Sequence, residues 1–106
     1  MTLEDDFTRE MWRLYEEPKS FRPPYDAGYF RKLLSEQKAV AVARDLVLDP
    51  RPSEGLARLS LARRLDLSVE ATVLRARWNS LFTPDVLEAA RKKLRTLEYT
   101  EPGLDL

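Results

Sequence analysis

The chain has 106 residues, with 18 Lys plus Arg against 18 Asp plus Glu and with neither Cys nor His. A chain of this length supports one hydrophobic core without a disulfide or metal staple, and hardly a second. The missing Cys and His remove thiol nucleophiles, disulfides, imidazole bases and Cys/His zinc sites, and a formal net charge of zero speaks against wholesale binding to a phosphate backbone.

Strand signals are nearly absent: there is no Asn-Gly or Asp-Gly turn and no sustained alternation, whereas helix starts and stops recur along the chain. The expectation is an all-α, compact single-domain bundle of about five to six short helices over residues 1–98, followed by a C-terminal tail, 99–106. The first helix is predicted from about Leu3 to Glu17, with Thr2 as N-cap, Glu4, Asp5 and Asp6 on its positive end, and Leu3, Phe7, Met11 and Leu14 as its apolar stripe. Pro18 ends it, and residues 19–24 form an extended connection anchored by Phe21. A second helix starts at an N-cap Asp26 and buries Tyr29, Phe30, Leu33 and Leu34. A third covers about Lys38 to Leu48, with Val40, Ala43 and Val47 facing inward. Ser35-Glu36-Gln37 holds no Gly or Pro, so one continuous helix and two separate ones both fit this stretch.

Asp49-Pro50-Arg51-Pro52 is a break. Ser53 then caps a fourth helix to about Leu65, Asp66-Leu67-Ser68 makes a tight turn, and a fifth helix runs from Val69 to about Ser80. The last helix has the clearest start: Thr83 as cap, Pro84 at the first helical position and Asp85 on the positive end, before Leu87, Ala90, Leu94 and Leu97. At about 100° per residue the fifth helix is apolar on two sides, which marks it as central. Between those sides Thr72, Arg75 and Asn79 form a polar stripe.

Few residues carry chemistry. Glu70 sits in a first turn, where the helix dipole favours it, within reach of Arg63 or Arg64 across the turn, and Asp66 beside it lacks the further oxygens a hard cation needs. Asp66, Ser68, Glu70, Thr83 and Pro84 therefore read as structural, and no residue is assigned to catalysis, a cofactor or a metal. Trp12 and Tyr15 lie off the main stripe of the first helix and are the candidate partner-binding aromatics. Residues 56–80 suggest a degenerate helix-turn-helix, in which Thr72, Arg75 and Asn79 would face nucleic acid. Residues 53–78 hold five Arg against three acids, while residues 1–17 hold six acids against Arg9 and Arg13, a mild polarity that a solvated basic face also explains.

About nine tenths of the chain resembles a family of small bacterial proteins that occur as standalone reading frames and have no assigned activity. The resemblance rests on Leu14-Tyr15-Glu16, Phe30-Arg31-Lys32-Leu33-Leu34, the apolar Val40–Leu48 segment, Pro52-Ser53-Glu54-Gly55, Arg64-Leu65-Asp66-Leu67-Ser68-Val69-Glu70-Ala71, and Leu81-Phe82-Thr83 with Ala90-Arg91. Two positions depart from the family pattern: Gln37-Lys38 stands where relatives have paired glycines, and Leu56 where they have an aromatic. The resemblance implies a shared helical fold and lends no catalytic residue or ligand. The expected function is a non-enzymatic, cytoplasmic helical protein that binds a protein partner or itself, with no membrane span. The alternative is a small DNA-associated regulator.

Overall fold

A computed structural model describes all of residues 1–106. Six α-helices form, and no strand: α1 Leu3–Glu16, α2 Gly28–Glu36, α3 Ala39–Leu48, α4 Glu54–Leu61, α5 Val69–Leu74 and α6 Pro84–Thr96. Short 3-10 turns at Glu17–Ser20, Leu65–Leu67 and Asn79–Leu81 link them. The radius of gyration of 12.8 Å equals what a single packed domain of this length should have, about 13 Å. No helix is long and apolar enough to cross a membrane.

Local chemistry explains most of the helix starts. Thr2 accepts from the Asp5 amide while the Asp5 carboxylate accepts from the Thr2 amide, a reciprocal cap that satisfies two orphan donors of α1. Ser53 accepts from the Leu56 amide at 3.0 Å and opens α4. Two expected caps differ. Helix α2 begins at Gly28 behind Ala27, without a side-chain cap, because the Asp26 carboxylate is taken by the Tyr15 hydroxyl at 2.8 Å. Thr83 occupies the cap position of α6, but its hydroxyl donates to the Asp85 carboxylate and accepts no helix amide. Pro84 holds the first helical position as expected.

Helix stops are less local. The chain breaks at Gln37, whose extended angles (φ −133°, ψ 161°) separate α2 from α3. Helix α4 ends at Leu61, four residues before the expected Leu65, through a paired turn in which the Arg64 amide bonds Leu59 O and the Arg63 amide bonds Ser60 O. Arg63 takes the left-handed position of that turn (φ 58°), and Glu98 does the same after α6 (φ 56°), with Tyr99 bonding back to Leu94 O. Helix α5 stops at Leu74, well short of Ser80, because Arg75 turns extended (ψ 143°). That turn lets the Arg75 guanidinium reach Asp66 O at 2.8 Å and clamp Glu101. It also brings Trp78 edge-on to Phe7, ring centroids 5.4 Å apart, and Phe82 meets Phe7 with the same geometry. Tertiary contacts outweigh the weak helix propensity of Trp78, Asn79 and Ser80.

At the centre, α5 packs on α6 and α3, and α1 closes over α3. Four consecutive α5 residues, Glu70, Ala71, Thr72 and Val73, are buried, which at about 100° per residue means enclosure on every side. The core also takes in Phe7, Met11, Leu14, Val42, Val47, Val86 and Leu94. Tyr29, expected inside, is 70% exposed, leaving Leu34 as the buried residue of α2. The tail is tied down: Tyr99 donates to Glu101 at 2.6 Å, and Glu101 is held by Arg75.

Leu94→Ala, at a fully buried site, should cost about 2–5 kcal/mol in urea unfolding, through lost transfer energy and the cavity left behind. Leu61→Ala, at a position 83% exposed, should change stability by no more than about 0.5 kcal/mol.

Candidate functional site

The site begins at the start of α5. Ser68 is buried, accepts from the Ala71 amide at 3.0 Å and donates to Leu65 O at 2.7 Å, so one hydroxyl both caps the helix and fixes the preceding turn. Two residues on, Glu70 is 3% exposed, and burial is the largest influence on its carboxyl, pushing it above the ordinary range for glutamate. The Lys93 charge, the Glu70 backbone amide and the Lys93 hydrogen bond pull it only part of the way back. Lys93 reaches inward from α6, with its ammonium 3.4 Å from Glu70 Oε2 and 2.9 Å from Leu46 O on α3. Glu70 therefore pairs with Lys93, and the expected partner Arg64 binds Asp66 instead, at 3.0 and 3.1 Å. That guanidinium holds the Asp66 carboxyl below its usual range.

Glu70 also lines a cavity of about 200 Å³ between α4, the start of α5 and the connection that leads into α2. Leu14, Leu46, Leu56, Leu59, Leu67 and Val69 are among its apolar lining, with Tyr25, Tyr29 and Phe30 from the connection and the start of α2. Asp26 and Glu54 complete its charged lining. The Arg58 guanidinium lies over the Tyr25 ring, 4.6 Å from its centroid, and steadies it. No group of three or more acidic side chains is placed to hold a metal ion.

The candidate partner-binding aromatics fall beside this cavity. Tyr15 is 4% exposed and spends its hydroxyl on Asp26, and half-buried Trp12 stacks edge-on against it, centroids 5.9 Å apart. Of the two, only Trp12 has appreciable surface to offer. The candidate nucleic-acid residues share no exposed face. Thr72 has no exposed surface and its hydroxyl donates to Ser68 O, Arg75 is clamped to Glu101 and Asp66 O, and Asn79 opens a separate 3-10 turn.

Sequence reasoning missed Lys93, Tyr25, Asp26 and Glu54 as members of one site. Lys93 had a readable signal: at 100° per residue it lies within about 20° of Val86 on the inward face of α6, where a cation needs a buried partner. The others come together only through the path of residues 21–27, which no local pattern encodes. Comparison with protein-family models, curated proteins and solved structures finds no match for this chain. What the fold and the site define is a single all-α domain with an acid-floored apolar pocket.

Lys93→Met should strand the Glu70 carboxylate in the interior and cost about 3–5 kcal/mol near neutral pH, with Glu70→Gln in the same chain restoring most of it. The sign with pH follows from the raised carboxyl. Unfolded Glu70 releases its proton around 4.5 while the folded variant keeps it to higher pH, so folding binds a proton and stability falls as pH rises. Urea denaturation across pH should show the deficit relative to the parent smallest below pH 4.5 and growing above it. A deficit independent of pH would mean that Glu70 is not the group stranded.

Proposed function

We propose that this domain acts by binding and not by catalysis, and that a partner protein docks on the face around the pocket by inserting one side chain into it. The pocket is the observation that carries this reading. Its volume of about 200 Å³ exceeds the roughly 150 Å³ that accommodates a benzene ring and falls below the roughly 300 Å³ at which small-molecule sites begin. That is the scale of one anchoring side chain. Tyr29, 70% exposed, and half-buried Tyr25 and Phe30 give its lining the aromatic character found at the energetic centres of interfaces. A cytoplasmic setting belongs to the same proposal, since the core closes without any disulfide and a reducing compartment leaves it intact.

We also propose that the chain belongs to the bacterial family it resembles. In support, the Arg64–Ala71 segment supplies the exit turn of α4, the Asp66 ion pair, the Ser68 cap and the buried Glu70. A motif shared for structural reasons would fall on such residues.

Gly28 allows a direct test. It lines the pocket, and a Cβ built on it meets no atom within 4 Å, so Gly28→Trp should fill the mouth while the far-UV circular dichroism and the melting temperature stay those of the parent. In pull-downs from the native cell, the parent should retain a protein that the plugged variant loses, with little change between low and physiological salt. Equal retention by both chains would overturn the reading. So would DNA held by the parent and released steeply with salt, or a mass in solution showing that the only partner is a second copy.

A further inference from the structure

We propose that the side chain the pocket receives is a lysine, its stem along the apolar walls and its ammonium on Oε1 of Glu70; this rests on the pocket being the docking site. Lys93 occupies Oε2, and no other side chain bonds the carboxyl. No side-chain nitrogen or oxygen sealed from solvent lacks a hydrogen-bond partner. Oε1 takes no hydrogen bond from another residue and is therefore still accessible, on a residue that lines the cavity. A nine-tenths buried carboxyl thus keeps open one oxygen that no other residue occupies.

Three further features select the occupant. The charged residues lining the pocket are three acids, Asp26, Glu54 and Glu70, against two cations packed on the lining, Lys93 on Glu70 and Arg58 over the Tyr25 ring, and the acid in excess favours a cation over an anion. Leu56, Leu59 and Val69 offer surface to a chain of methylenes, as long cationic side chains need when their stems are buried. And with Oε2 already spent on Lys93, a single oxygen remains, which suits a compact ammonium and denies an arginine fork its two parallel bonds. The usual penalty against a buried ion pair is also reduced. Folding has already taken most of Glu70 out of water, so the hydration still to be lost is chiefly that of the incoming ammonium.

The test uses three probes on the full chain with methyl-labelled Leu and Val: n-hexylamine, 1-hexanol and n-hexylguanidine. Methyl shifts should concentrate on Leu56, Leu59 and Val69, with hexylamine about tenfold tighter than the alcohol and several-fold tighter than the guanidine. Alcohol or guanidine binding as tightly as the amine, or no shift at these methyls, would overturn the proposal. In Glu70→Gln the amine should fall to the level of the alcohol, and an amine preference surviving in that folded variant would overturn it as well. Should that variant not fold, the ranking of the three probes on the parent chain decides. Partner loss in Gly28→Trp combined with equal amine and alcohol affinities would overturn the lysine and leave the docking face standing. Partner retention in Gly28→Trp with the amine preference intact would overturn the docking face, and with it a lysine donated by that partner.

Discussion

Lys93 holds three helices with one ammonium. From α6 it donates to Leu46 O at the inner side of α3 and to Glu70 at the start of α5, so the three central helices meet at a polar point inside an apolar core. Such a link contributes little net stability, because both ions have been taken out of water, yet it is costly to break on one side only. Its effect is selective: a packing that slides α6 along α3 or turns α5 about its axis leaves an unpaired charge inside, whereas purely apolar contacts would tolerate a range of such arrangements.

The remaining architecture keeps that point in place. Enclosed on all sides, α5 is only six residues long and cannot hold itself as an isolated helix. The buried Ser68 hydroxyl fixes its entry, and the Arg75 clamp onto Asp66 O and Glu101 fixes its exit. The clamp in turn orders the chain beyond α6, where Tyr99 leans on the same Glu101. Burial raises the Glu101 carboxyl and the hydrogen bonds from Arg75 and Tyr99 outweigh it, leaving it below its usual range, as expected of a carboxylate that works as an anion. Phe7, packed edge-on with both Trp78 and Phe82, ties α1 to the segment that follows α5. What these restraints leave unfilled is the space between α4, the start of α5 and residues 25–30, and there the second oxygen of Glu70 stays accessible.

Much of this was legible in the residues, and the failures share a cause. Starts with a polar cap of their own, at Thr2, Ser53 and Ser68, read correctly, because a cap is a contact over three residues. Stops were misread where the left-handed position went to Arg63 with no glycine as signal, and where α5 yields to the Arg75 clamp and the Trp78 ring, both set by distant residues. The placement of α5 at the centre was readable from its two apolar sides, and the burial of Thr72 and Glu70 beside them was not. Glu70 was legible as a helix-start acid; its partner is 23 residues away, a pairing no spacing rule yields. Trp12 and Tyr15 stood out as aromatics, but only the path of the connection sets Tyr15 against Asp26, which lines the pocket.

The central claim is that Glu70 sits inside the protein as a carboxyl whose burial Lys93 only partly offsets. A carbon-13 titration of the Glu70 carboxyl in the folded parent tests it most directly. The midpoint should lie above the ordinary glutamate value of 4.5 and move down when n-hexylamine is added. A midpoint at or below 4.5, unmoved by the amine, would place Glu70 in a solvated or fully compensated setting and contradict the claim.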